Sequence, residues 1–116
     1  MTILVIDDED DVRKLIAGAL RRGGHVVVEA AGCAAALDIC DEVESVEVVV
    51  SDYNMPDGNG LILAKELRRR HPYISIILMS ANVTVHDDVA SEGFVCLQKP
   101  FEMADLDAAI AAICRS

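Results

Sequence analysis

Five side chains in this 116-residue sequence stand where they could do chemistry. Asp7 and Asp8 close the apolar run "TILVI" (2–6), Asp52 follows "VEVVV" (46–50), Ser80 follows "SIILM" (75–79), and Lys99, ahead of Pro100, follows "FVCL" (94–97). Singly, each has an ordinary reading. "DDEDD" (7–11) reads as an acidic first helical turn, Asp52 as a turn or cap residue, Ser80 as a loop hydroxyl and Lys99 as a surface charge in a Lys-Pro turn. Together, all of them fall at the carboxyl ends of strand-like runs. Three carboxylates gathered within a few ångströms repel, and at least one pKa rises unless a cation sits among them. Hard oxygen ligands suit Mg²⁺, which keeps several waters and is often shared with phosphate oxygens. A divalent ion plus Lys99 would reverse the local potential and admit a phosphoryl group. Asp52 is then a candidate nucleophile forming an aspartyl phosphate, with the Ser80 hydroxyl and the backbone N–H of Ala81 as donors to phosphoryl oxygens.

The elements that must position these groups follow from hydrophobic patterning. Five β-rich runs, 2–6, 25–29, 46–50, 75–79 and 94–97, are close to continuously apolar, as strands buried on both faces are. Between them lie helical patterns. Val12, Leu15, Ile16, Ala19 and Leu20 follow the spacing of one helical face, and "RGG" (22–24) ends that helix. Residues 33–42 and 60–71 give two more helices, the latter carrying Arg68, Arg69 and Arg70 at its dipole-favoured end. The segment 82–93 is a weaker helix, because Val83, Thr84 and Val85 are β-branched. Residues 102–114 read as a terminal helix. Strict alternation of strand and helix predicts an α/β fold, a doubly wound five-stranded parallel sheet with right-handed crossovers. Ligands of such sheets bind beyond the carboxyl ends of the strands.

Composition narrows the function classes. The length suits one domain with one modest core. Hydrophobic residues make up 53% and aromatic residues 3%, so the interior is aliphatic. A formal net charge of -10 opposes direct contact with nucleic acid or an anionic membrane surface. Cys33, Cys40, Cys96 and Cys114 form no C-x-x-C pair, which argues against zinc or a redox dithiol and for reduced, packed thiols in a cytoplasmic chain. No apolar stretch reaches the roughly 20 residues that span a bilayer, and no cationic leader precedes the first apolar run.

The ordered set "VIDDE", "SDYNMPDGNG", "LMSA" and "QKPF" resembles the receiver domain of two-component response regulators, the CheY-like superfamily, across essentially the whole chain. The resemblance implies a flavodoxin-like (βα)5 fold with strand order 2-1-3-4-5, and a single receiver domain over 1–116 with no output domain in this chain. It implies Asp52 as phosphoacceptor, Asp7, Asp8, Asp52 and the backbone carbonyl of Asn54 as ligands of Mg²⁺ (or Mn²⁺), Ser80 as the switch hydroxyl, and Lys99 as the phosphate-contacting lysine before a cis proline. The expected donor is the phosphohistidine of a sensor histidine kinase or histidine phosphotransfer protein. The expected output is a shift of the fourth helix, fifth strand and fifth helix, a surface that could also pair two copies. Such a domain is not an enzyme in its own right, although it takes part in its own phosphorylation and dephosphorylation and can form the receiver part of a hybrid histidine kinase.

One position departs from the family pattern. Three residues before the lysine the family commonly carries Tyr or Phe, and this chain carries Cys96, which puts the usual inward-swinging ring in doubt. Two rivals are weighed beside the phosphoacceptor reading. A flavin or nucleotide binder of the same fold needs a glycine-rich or hydroxyl-rich loop after the first strand, and here that loop is acidic. A receiver-like docking module that takes no phosphate has no need of Asp52, Lys99 and the acidic pair.

Overall fold

The computed structural model describes residues 1–114, and the side chain of Cys114, Arg115 and Ser116 lie outside that description. Five strands, β1 (Thr2–Ile6), β2 (Val26–Ala30), β3 (Val46–Asp52), β4 (Ser75–Ser80) and β5 (Val95–Gln98), form one parallel sheet ordered β2-β1-β3-β4-β5. The helices are α1 (Asp10–Arg22), α2 (Cys33–Glu42), α3 (Gly60–Arg70), α4 (Thr84–Ser91) and α5 (Met103–Cys114). This is the expected flavodoxin-like (βα)5 architecture, and the peptide bond Lys99–Pro100 is cis.

Side-chain alternation along the strands builds two cores. Leu4, Ile6, Val49, Ile76 and Leu78 meet α2, α3 and α4, whereas Ile3, Val5, Val48, Val50, Ile77 and Met79 meet α1 and α5. Ile3 through Ile6 are wholly buried, which explains why β1 carries no polar alternation. No helix of the described chain is long and apolar enough to cross a membrane. Cys33, Cys40 and Cys96 are free thiols, and burial pushes Cys40 up to about 11, so it packs as an apolar group.

Several boundaries differ from the sequence reading by a residue or two. β3 runs on to include Asp52 itself, and α4 spans only Thr84–Ser91, with Val89 as its one buried residue. The buried stripe of α1 is Arg13, Ile16, Ala17 and Leu20, one residue out of step with the expected face. Leu15 is consequently 70% exposed. Ile16 and Leu20 belong to both faces, and Val12 packs against the same core. The shift arises because Arg13, held by Asp10, Glu29 and the Asp7 carbonyl, takes a place on the buried side.

A two-residue antiparallel ribbon, Asn54–Met55 with Gly58–Asn59, was invisible to periodicity. It folds the loop back on the end of β3 and delivers Asn59 as the cap of α3, where its Oδ1 accepts from the N–H groups of Leu61 and Ile62 at 2.7 and 3.2 Å. At the join, Gly60 donates to the Tyr53 carbonyl at 2.6 Å. A Cβ on Gly60 would lie 2.5 Å from the Asp52 carbonyl oxygen and 2.9 Å from the Tyr53 Cα. All of the nearest atoms are backbone of Asp52 and Tyr53, so no flexible side chain can move aside. Gly60→Ala is therefore expected to destabilise the fold by about 1–3 kcal/mol, read as a lower midpoint of chemical unfolding, and wild-type stability would refute the close approach.

Candidate phosphoacceptor site

Strand register brings distant residues to one level. Ile6 pairs with Ser51, Asp52 with Met79, Met79 with Leu97, and Ser80 with Gln98. Asp7, one step beyond Ile6, thus stands level with Asp52, while Ser80 and Lys99 follow one and two steps beyond. The ladder continues past the strand ends, since Asp7 N–H donates to the Ala30 carbonyl at 3.1 Å and Lys99 N–H to the Ser80 carbonyl at 2.9 Å. Asp7, Asp52 and Lys99 have the strand parity of the side chains that face α1 and α5. Ser80 has the parity of Ile76 and Leu78, which face α2, α3 and α4.

Asp7, Asp8 and Asp52 each offer a carboxylate oxygen within 4.8 Å of the others. Asp8 is exposed, Asp52 half-buried and Asp7 buried. Lys99 Nζ lies 3.1 Å from Asp52 Oδ1 and 3.8 Å from Asp7 Oδ2. Asp7 Oδ1 accepts from the Glu9 N–H at 2.9 Å, yet its buried Oδ2 has no hydrogen-bond donor. Burial pushes the Asp7 carboxyl above its ordinary value, and the charges of Asp52 and Asp8 add to that, against the Glu9 N–H and Lys99, which pull it down. One lysine therefore does not relieve the crowding. The converging hard oxygens and the buried Oδ2 without a hydrogen-bond donor fit a small divalent cation.

The remaining predicted residues take up different places. Asn54 opens the ribbon two residues beyond Asp52, opposite Asn59. Ala81 is exposed on the rim. Ser80 is 2% exposed, and its Oγ accepts from the Asn82 N–H at 3.0 Å, so the hydroxyl is turned to the following loop. Cys96 packs under α4 with Phe94, away from the carboxylates.

Two residues escaped sequence reasoning. Arg13 donates to the carbonyl of Asp7 at 2.8 Å. Asp57, in the ribbon turn, caps α2 from another part of the chain, accepting from Cys33 N–H at 2.9 Å and Ala34 N–H at 3.2 Å. These N–H groups hold the Asp57 carboxyl below its usual value. A spacing of more than twenty residues gives no local signal for such a cap; only the bare Gly32 before α2, with no capping side chain of its own, hinted at one.

A model of the response regulator receiver domain matches residues 3–111. The chain belongs to the response regulator receiver family. It is 38% identical over 109 residues, 90% of its length, to the sensor kinase CckA of Brucella abortus, and 40% identical over 74 residues, 63% of its length, to a CheY homolog of Campylobacter jejuni. The chain spans 12% and 57% of those two relatives. Among solved structures, a receiver domain protein of Clostridium thermocellum superposes with a TM-score of 0.90 at 29% identity, covering 96% of this chain and 91% of that one. The Thermotoga maritima regulator TrrA, in complex with Mg²⁺ and BeF, gives 0.87 at 28% identity and 96% of both chains. A receiver domain thus carries this acidic cluster, and its function lies in two-component phosphorelay signalling.

The raised Asp7 pKa has a stability consequence. A carboxyl whose folded pKa exceeds its unfolded value destabilises the fold once the pH is above both values, and the penalty disappears below the unfolded pKa, near 3.8. In metal-free buffer, Asp7→Asn is expected to unfold at a higher temperature than the wild type at pH 7, with the difference closing toward pH 4. A lower melting temperature for the variant at pH 7 would contradict a net penalty from burial and neighbouring charge on the Asp7 carboxylate.

Proposed function

We propose that Asp52 accepts a phosphoryl group from a phosphohistidine and that Asp7, Asp8, Asp52 and the Asn54 backbone carbonyl hold the Mg²⁺ (or Mn²⁺) this requires. The observation that carries the reading is Asp52 on a rigid strand end, 3.1 Å from Lys99 Nζ, within a cluster of three carboxylates. Bound Mg²⁺ supplies positive charge that attracts phosphoryl oxygens and offsets the charge spread over them during transfer. Asp52 attacks phosphorus in line, and the bond from phosphorus to the donor imidazole nitrogen breaks with its electron pair going to the ring. Lys99, already oriented by Asp52, binds a phosphoryl oxygen; the Ser80 hydroxyl and the Ala81 N–H donate to the others. Attack by water on phosphorus later restores the Asp52 carboxylate and releases phosphate. A docking module that takes no phosphate is not favoured, because a buried Asp7 oxygen with no hydrogen-bond donor, beside two more acids, burdens a protein that binds no cation.

The donor we infer is a sensor histidine kinase or histidine phosphotransfer protein, acting in the cytoplasm. A mainly apolar groove of about 560 Å³ supports this, because Val12, Leu15, Ile16, Ala19, Phe101 and Met103 line it together with Lys99 and Ala81 of the proposed phosphate site. A helix bearing the phosphohistidine can rest its apolar side there while the imidazole reaches Asp52. Phosphorylation would draw Ser80 toward the phosphate and shift α4, β5 and α5, a surface open to a partner or a second copy.

Incubation with acetyl phosphate and Mg²⁺ is expected to add one phosphoryl group by intact mass. The adduct should vanish in Asp52→Asn and in excess chelator. An undiminished adduct in either would overturn the assignment of acceptor or metal. Leu15→Glu is expected to slow transfer from a phosphohistidine protein about tenfold, the effect of roughly 1.4 kcal/mol at a docking contact, and to slow transfer from acetyl phosphate far less. Equal slowing with both donors would remove the groove from the docking surface.

A further inference from the structure

Arg13 is the one charged side chain on the buried stripe of α1, and its guanidinium divides three ways. Nη1 donates to the Asp7 carbonyl at 2.8 Å, Nη2 to Asp10 Oδ1 at 2.7 Å and Nε to Glu29 Oε1 at 3.3 Å. Glu29 is held in turn by Arg21 at 3.2 Å. The planar fork therefore ties the turn after β1 to both α1 and β2. The carbonyl it grips is that of the peptide bond joining Asp7 to Asp8, the two adjacent carboxylates of the cluster.

That peptide is otherwise held on one side alone. The Asp7 N–H is anchored to Ala30 and its Oδ1 to the Glu9 N–H, which fixes Asp7. Asp8 is exposed, so its direction depends on the plane of the peptide that precedes it. Rotation of that plane would break a buried hydrogen bond to a charged donor, an interaction worth more than a neutral one. From this geometry we propose that Arg13 is a positioning residue for the cation site, setting the angle between the Asp7 and Asp8 carboxylates without touching the ion. The proposal rests on the reading of Asp7 and Asp8 as metal ligands.

Charge and position predict opposite signs. A guanidinium beside a dication repels it, so on Coulombic grounds Arg13→Met should tighten metal binding. If Arg13 instead orients the ligands, its loss should weaken binding by about 10–100-fold, the range seen when partners of metal ligands are removed. Mn²⁺ affinity, measured by the loss of free-ion paramagnetic resonance signal in titrations of wild type, Arg13→Met and Arg13→Lys, separates the two. Lys14→Met, which removes the same charge from an exposed neighbouring position, serves as the charge control. The expected result is at least tenfold weaker binding in Arg13→Met, a smaller loss in Arg13→Lys, which keeps the charge but not the fork, and no weakening in Lys14→Met. Unchanged or tighter binding in folded Arg13→Met overturns the proposal. Should that variant not fold, wild-type affinity in Arg13→Lys overturns it equally. Failure of the wild type to bind Mn²⁺ at all would instead refute the metal site itself.

Discussion

Like charges held together at the edge of a sheet are the constraint around which this protein is arranged. Asp7, Asp8 and Asp52 approach one another with Lys99 as the cation facing them, and Asp7 is buried with an oxygen that finds no donor. Relaxation would pull the acids apart. The parallel register prevents this for Asp7 and Asp52, since both are tied to strands that are buried on each side. The Ala30 carbonyl, the Glu9 N–H and Arg13 hold what the strands do not. Stability is thereby traded for a site that is ready for a cation before one arrives, a common relation between function and strain.

The fold was legible because its signals are local and repeated. Short apolar runs such as Ile3–Ile6 and the β-branched Val48–Val50 fit buried strands better than helices by length and residue type, and five alternations with helices leave few topologies. The main residues of the candidate site were legible for a related reason: the ends of parallel strands must share an edge, so Asp7, Asp52, Ser80 and Lys99 could be placed together without knowing any side-chain contact. What stayed hidden depends on pairs remote in sequence. Arg13 reads as a solvated charge until Glu29 and the Asp7 carbonyl are seen around it. Its spacing with Ile16, Ala17 and Leu20 was a usable signal, but one that hydrophobicity alone discards. Asp57 reads as a turn residue until α2 is found against it. The ribbon at 54–59 is too short for any period to register.

Strand parity also separates chemistry from response. Asp7, Asp52 and Lys99 belong to the α1 and α5 side of the sheet, while Ser80, Phe94 and Cys96 belong to the side that α4 covers. Ser80 is the member of the proposed site that stands on the second side. Its Oγ accepts from Asn82 N–H, and Asn82 Oδ1 accepts from the N–H and hydroxyl of Thr84 at the start of α4, at 3.0 and 2.7 Å. Its carbonyl, which accepts from Lys99 N–H, also lies 3.5 Å from His86 Nε2. A hydrogen-bonded path thus joins this hydroxyl to α4 without an aromatic ring.

The absence of that ring is then consistent with the rest of the second face. Phe94 cannot stand in for it, because it is 7% exposed and the Arg68 guanidinium covers its ring at 3.8 Å, while Arg68 also donates to the Glu92 carbonyl at 2.6 Å. Freeing Phe94 would break the contact between α3 and the loop before β5. The cheaper movement is in α4 itself, with its single buried side chain, Val89, and its β-branched start, Thr84 and Val85. An element held by so few apolar contacts opens at low free energy. If Ser80 turns toward a phosphate, its Oγ leaves Asn82, and Asn82 and Thr84 lose the anchor that fixes the first turn of α4. Any displacement therefore begins at the helix N-terminus and diminishes toward Val89, whereas the ring-locked segment Glu92–Phe94 holds the far end in place.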